Sequence, residues 1–91
     1  MADIRMLVHA TDMDMISGHY TMTASIEEHA DDGTVVTSPR ETFGVSHEEI
    51  MQRYSGDPKK WREFVKETLT KRHVLRHSIL TELIDWQGKR V

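Results

Sequence analysis

The longest regular pattern in the chain lies between Asp57 and Gln87, where apolar residues recur at helical spacing and no glycine or proline follows Pro58. The pattern predicts one helix of about 29 residues, which spans about 43 Å. A compact domain of 91 residues has a radius of gyration of only about 12 Å, hence a diameter of about 30 Å. We therefore expect the helix to extend beyond its own domain, where it needs a partner surface or a kink.

The apolar stripe of this helix is interrupted and then widens. Thr68, Arg72 and Arg76 fall inside the stripe, so the helix crosses a polar feature there, either an edge of the sheet or an acidic group of a partner. Beyond this point the apolar residues cover more than one helix face. They are Leu75, Ile79, Leu80, Leu83, Ile84 and Trp86. Two interpretations are open: a wide core face under a loop, or an interface with a second copy or another protein.

Strict alternation of apolar and polar residues predicts a half-buried strand from His19 to Glu27. The turn signal Asp31-Asp32-Gly33 follows it, so residues from about 19 to 45 are expected to form a hairpin. Because proline cannot donate to a ladder, the second half of this hairpin should be an edge strand or carry a bulge near Ser38-Pro39. Such a bulge would bring Val36 and Phe43 onto one face.

A further strand is predicted near the N-terminus from Ile4, Met6 and Val8, although Leu7 breaks the alternation. The polar stretch from Thr11 to Gly18 is expected to connect this strand to the hairpin. The face of the hairpin strand that lies away from the core carries His19, Thr21, Thr23, Ser25 and Glu27.

The sequence that follows the strands contains clear signals for the start of a helix. Ser46 and Glu49 fit the S-x-x-E capping box, and Val45 with Ile50 occupies the two positions of a hydrophobic staple. A short helix is therefore predicted from His47 to about residue 54.

Gly56 closes this short helix, and Asp57 and Pro58 supply the N-cap and first position of the long one. The order of elements predicts an α+β fold. It comprises a three-stranded antiparallel sheet within residues 1–45, a short helix within 46–56 and a long C-terminal helix within 57–87, packed on one face. We expect a single domain over residues 1–91.

Composition excludes several classes of protein. The chain has no cysteine, which removes disulfides, thiolate catalysis and thiolate metal sites. No segment approaches the roughly 18 to 20 apolar residues of a membrane span, and the first ten residues lack the basic flank and long apolar core of a secretory signal. We expect a soluble, cytoplasmic protein with no membrane partner.

Charge is distributed unevenly. Residues 1–56 contain three Lys or Arg and ten acids, net −7, whereas residues 57–91 contain nine Lys or Arg and five acids, net +4. The split suits a basic helix attracted to an acidic face of the same or a neighbouring chain, or a helix that meets an anionic ligand. The first interpretation is favoured because the net charge of −3 would repel nucleic acid at long range.

A basic stripe runs beside the apolar one on the long helix. Its members are Lys59, Arg62, Lys66, His73 and His77. The stripe fits an anion-binding surface and equally fits a solvated helix face. The two histidines stand at the spacing by which imidazoles on one helix chelate zinc. No glutamate lies between them, however, and Arg72 and Arg76 would oppose a cation, so we interpret them as surface histidines.

No catalytic signature is present. Ser25, Ser38, six histidines and the Glu27-Glu28 pair are available, but no G-x-S-x-G, glycine-rich phosphate loop or dinucleotide fingerprint accompanies them. Adjacent residues of a strand point to opposite faces, so the glutamate pair cannot act on one substrate. We assign no catalytic residue, metal or cofactor, and a non-catalytic protein is favoured over an enzyme.

The sequence favours a small protein-interaction or regulatory module that self-associates, as a homodimer, or docks on a protein partner through the far half of its long helix. The alternative is a nucleic-acid-associated protein that uses the basic stripe, although the expected open face of the sheet lacks the aromatic residues of RNA-stacking sheets. A catalytic dimer with a groove between its subunits comes third.

Overall fold

In the computed structural model, residues 3–90 are described and form four strands and two α-helices. In chain order these elements are β1 (Asp3–Asp14), β2 (His19–His29), β3 (Val35–Thr37), β4 (Glu41–Ser46), α1 (His47–Arg53) and α2 (Pro58–Trp86). β2 is the central strand of an antiparallel sheet, with β1 along one edge and β3 and β4 along the other. The predicted α+β fold, with a short helix and a long C-terminal helix, is confirmed.

The second half of the hairpin forms two strands, so the sheet has four strands instead of the predicted three. Ser38 lies between them: its N–H donates to the Ile26 carbonyl at 2.9 Å, and its hydroxyl accepts from the Ile26 N–H at 2.9 Å. This side chain replaces a ladder carbonyl next to Pro39, which has no N–H to donate. The interruption brings Val36 and Phe43 onto the same face, as expected.

β1 is longer than predicted. The first part of the expected connection from Thr11 to Gly18 pairs with β2, so its assignment to a loop was wrong. β1 also contains a β-bulge at His9, where the register shifts between Val8 and Ala10. An extra residue reverses the parity of the strand, and Met13 therefore faces the same side of the sheet as Val8.

The core lies between one face of the sheet and the first half of α2. Its buried apolar residues are Met22, Ala24, Ile26, Val45, Ile50, Trp61, Val65 and Leu69. On α2 the buried residues are Trp61, Val65, Leu69 and His73, at intervals of four. Each such step advances about 40° around the helix, so the contact follows the i+4 ridge as α2 crosses the twisted sheet. Phe64, three residues after Trp61, lies beside this ridge and is half exposed.

Both helices begin where predicted. The Ser46 hydroxyl accepts a hydrogen bond from the Glu49 N–H at 3.1 Å, and the Asp57 carboxylate accepts one from the Lys59 N–H at 3.0 Å. The two residues of the predicted hydrophobic staple are buried. These caps fix the residue at which each helix begins.

Replacing Ser46 with alanine should lower the free energy of unfolding by about 1 kcal/mol, because the Glu49 N–H loses its side-chain acceptor. Chemical denaturation of the purified variant measures this loss. Ser78→Ala, on the exposed half of α2, is a matched control and should change stability by less than about 0.5 kcal/mol. Equal losses in the two variants would contradict a capping role for Ser46.

Candidate protein-interaction surface

The second half of α2 extends beyond the sheet. The molecule measures 55 × 32 × 21 Å and has a radius of gyration of 16.9 Å, against about 12 Å for a compact domain of this length. After His73, every residue of α2 is exposed. We call the segment Val74–Trp86 the arm. Its presence confirms the expected overhang.

The arm carries all six residues of the predicted interface. They are Leu75, Ile79, Leu80, Leu83, Ile84 and Trp86, and each side chain is between 48% and 60% exposed. No element within residues 3–90 buries them, so the interpretation as a core face under a loop is wrong for a single chain. Burying each would gain roughly 1.5 to 3 kcal/mol, which sums to the order of ten kcal/mol. This sum is comparable with the whole stability of a small domain.

The apolar arc of the arm overlaps the arc of α2 that is buried against the sheet. Residues 18 positions apart share a helical position, because 18 residues make about five turns at about 3.6 residues per turn. Ile79 and Leu83 therefore repeat the positions of Trp61 and Val65, which are buried against the sheet. The arm thus presents a sheet-packing face that has no sheet beneath it in the same chain.

Polar contacts hold α2 at the point where it leaves the sheet. Arg72 and Arg76 lie 3.0 and 3.5 Å from a carboxylate oxygen of Glu41, at the start of edge strand β4. The Arg72 guanidinium also lies over the Phe43 ring, 5.6 Å from its centroid. The polar feature crossed by the helix is therefore an edge of its own sheet. These partly solvated ion pairs are each worth about 1 kcal/mol or less.

His73 does not belong to a solvated stripe. It is 6% exposed, and its Nε2 lies 3.6 Å from Glu28 Oε1, beyond hydrogen-bond distance. Its interpretation as a surface histidine was wrong, because the i+4 ridge of α2 turns it onto the sheet. His77 is exposed, so the two imidazoles occupy different environments. Residues 3–90 contain no group of three or more His, Asp or Glu side chains placed to hold a metal ion.

The other four residues of the basic stripe, Lys59, Arg62, Lys66 and His77, are exposed. Two of them border a cleft of about 390 Å³ between α2 and β1, lined by Met6, Val8, Arg62, Glu63 and Lys66. A larger cleft of about 670 Å³ lies between β1, β2, α1 and the start of α2; its lining includes Thr11, Met13, Tyr20, Met51, Pro58 and Trp61. We call the two clefts together the β1 groove.

The floor of the β1 groove is a part of the sheet that α2 leaves uncovered. Val8 and Met13 pair with Ala24 and Tyr20 of β2, so they face the same side as α2. Ala24 is fully buried, yet Val8 and Met13 remain 45% and 46% exposed. The sequence did not predict this floor. The alternation in β1 predicts which side of the sheet its apolar residues face, but not whether a helix covers them.

Two of the candidate catalytic side chains, His9 and Ser25, contact each other. His9 Nε2 lies 2.7 Å from Ser25 Oγ, a pair that the bulge in β1 brings together. Ser25 is fully buried, so its hydroxyl is not accessible to a substrate, and the imidazole of His9 is its hydrogen-bond partner. Glu27 and Glu28 face opposite sides of the sheet, as predicted; Glu27 lies 3.2 Å from His29 Nε2 on the open face.

The open face of the sheet, away from α2, carries the predicted polar residues. Thr23 and Thr42, on neighbouring strands, share a hydrogen bond of 2.8 Å between their hydroxyls. In the four described strands, no Phe, Tyr or Trp lies on this face, because Tyr20, which pairs with Val45, and Phe43, which pairs with Met22, both face the side of α2. The open face therefore lacks the aromatic platform of RNA-stacking sheets.

Comparisons of the chain with protein-family models, with curated proteins and with solved structures find no match. Among the described residues, neither helix is long and apolar enough to cross a membrane.

Proposed function

We propose that this chain is a small protein-interaction module that associates through the apolar face of its arm. The observation that carries the proposal is the set of six half-exposed apolar side chains on a helix that projects past its own sheet. At roughly 100 Å² of accessible surface each, they form a patch of about 600 Å². The largest apolar patch on a typical monomer covers about 300 to 600 Å² and is often functional, so a patch at the upper end of this range supports an interaction site.

The spacing of the apolar residues supports recognition of one helix face. Ile79, Leu83 and Trp86 stand at positions i, i+4 and i+7, the pattern by which an amphipathic helix lies in an apolar groove. Tryptophan is also among the residues that contribute most to binding energy at interfaces. The arm would therefore act as the inserted element and its partner as the groove.

Sedimentation equilibrium of the unmodified protein, from low to high micromolar concentration, tests the proposal together with limited proteolysis. We expect an average mass above the 10.6 kDa of one chain that rises with concentration, and an arm that becomes resistant to protease as it does. A monomer at high concentration with a protected arm would mean that α2 bends back onto its own sheet, and the proposal would fail.

The exposure of Lys59, Arg62 and Lys66 on one flank of α2 supports a second candidate, association with nucleic acid. Binding of duplex or single-stranded nucleic acid should then weaken steeply with salt, because bound Lys and Arg release counterions. Replacing the three residues with glutamine would reduce that slope. Absence of binding at low salt would remove this candidate and leave the first unaffected.

A further inference from the structure

We infer that the partner of the arm is a second copy of this chain, and that each arm lies in the β1 groove of the other copy. The inference rests on the proposed function, which assigns association to the arm and leaves open what the arm contacts. Four comparisons between the arm and the β1 groove support it: the side of the sheet that each matches, the residues on the flanks of α2, the lengths of the two surfaces and the area that they would bury.

The apolar face of the arm matches the floor of the groove. Ile79 and Leu83 occupy the helical positions that, 18 residues earlier, pack on the sheet. The groove offers more of that same side of the sheet, because Val8 and Met13 face it and are about half exposed. The arm would therefore repeat on the second copy the packing that the first half of α2 makes within its own chain.

The flank of the arm also matches the edge of the groove. Leu80 and Ile84 occupy the helical positions of Arg62 and Lys66, which border the groove. If two α2 helices lie antiparallel about a two-fold axis near His73, the same flank of each helix faces the other. The aliphatic stems of Arg62 and Lys66 would then cover Leu80 and Ile84, with the charged ends in solvent.

The lengths of the surfaces agree. The arm, from Val74 to Trp86, is about 20 Å long at about 1.5 Å per residue. The floor of the groove, from Met6 to Met13, is about 23 Å long at about 3.3 Å per residue. The half of α2 from Pro58 to His73 is similar in length to the arm, so antiparallel pairing about His73 places each arm along the other groove.

The larger cleft provides a place for the end of the arm. With the two-fold axis near His73, Trp86 comes opposite the first turn of the other α2, close to Pro58 and Trp61. Both residues line the cleft of about 670 Å³. A buried aromatic side chain in a pocket is the usual anchor of an interface, so Trp86 would be the anchor of this one.

The buried area favours this arrangement over pairing of arm with arm. Two arms of about 600 Å² each contribute roughly 1,200 Å², at the lower limit for a stable interface. Arm against arm buries only this area and leaves Val8 and Met13 in solvent. Arm in groove also buries the floors of two grooves, which brings the total into the range of stable dimers.

Cysteine cross-linking tests the inference directly, since the chain has no cysteine of its own. Val8→Cys and Leu83→Cys each place one thiol at a half-exposed position, on the groove floor and on the arm. Glu63, which lines the same cleft as Val8, lies opposite Leu83 in antiparallel pairing about His73. Far-UV circular dichroism first checks that both variants retain the fold.

We expect a mixture of the two variants to form a covalent dimer under mild oxidation. Its rate should exceed by at least about tenfold that of a control mixture in which Thr42→Cys, on the open face, replaces Val8→Cys, because association raises the effective concentration of the thiols. Self-linking of Leu83→Cys at the faster rate, without reaction of Val8→Cys, would show arms paired with each other. That result would overturn the inference and leave the proposed function standing.

Equal rates in the mixture and the control would also overturn the inference. Sedimentation of the unmodified protein then separates the two possibilities. An associated protein keeps the proposed function with a different contact surface, whereas a monomer with a protected arm removes both.

Discussion

Replacing Ile79 and Leu83 together with glutamate is expected to yield a monomer or an insoluble protein. Both residues lie on the apolar face of the arm and are 52% exposed in the single chain. In an interface, each glutamate would be buried without a partner charge. Loss of four apolar side chains per dimer costs on the order of 6 to 12 kcal/mol, which raises the Kd by more than about 10,000-fold. Sedimentation equilibrium measures the change.

The double substitution Ser78→Glu and Thr81→Glu is the matched control. These residues lie on the opposite face of the same two turns, so the control adds the same charge without touching the apolar face. Its mass distribution should match that of the unmodified protein. If the Ile79 and Leu83 double variant also matched it, the arm would not be the contact surface.

Ile26→Asp is expected to abolish cooperative folding. Ile26 is fully buried at the centre of β2, among the core residues beneath α2. The substitution removes a large apolar side chain from a packed core, which costs about 2 to 5 kcal/mol, and places an unpaired charge there. A small domain has only about 5 to 15 kcal/mol of stability to lose. Thermal unfolding followed by circular dichroism should show no transition.

Val36→Asp provides the comparison within the same sheet. Val36 lies on β3, faces the same side as Ile26 and is 45% exposed. A charge at this position stays in water, so the free energy of unfolding should change by less than about 1 kcal/mol. An Ile26→Asp protein with unchanged melting behaviour would contradict the assignment of faces in β2.

Elements with local signals could be predicted from the sequence. The alternation from Tyr20 to Ile26 predicts β2, because a period of two matches the pleat of a strand. Ser46 and Asp57 predict the starts of the helices, because their side chains satisfy N–H groups two or three residues away. The six apolar residues of the arm could also be predicted as one surface, because they lie within a single helix and their spacing alone places them close together.

Features that depend on how elements cross could not be predicted. His73 is buried because α2 meets a twisted sheet along its i+4 ridge, and that angle is set by tertiary packing. The bulge at His9 changes which side of the sheet Met13 faces, without a glycine or proline to mark it. The β1 groove exists because α2 covers the centre of the sheet and leaves Val8 and Met13 of β1 half exposed, which no single segment of sequence records.

The arm also has a consequence for how its own helix forms. A segment of about 13 residues is only marginally helical in water, because the first turn is costly to nucleate. Here the buried half of α2 supplies the nucleus, and the arm continues it by propagation alone, with no basic residue in its last turn to complement the helix dipole. The last turns of the arm are therefore expected to unfold and refold from the Gln87 end. If association covers the arm, completion of the helix and dimerisation become one equilibrium, and the length of α2 would follow the concentration of the protein.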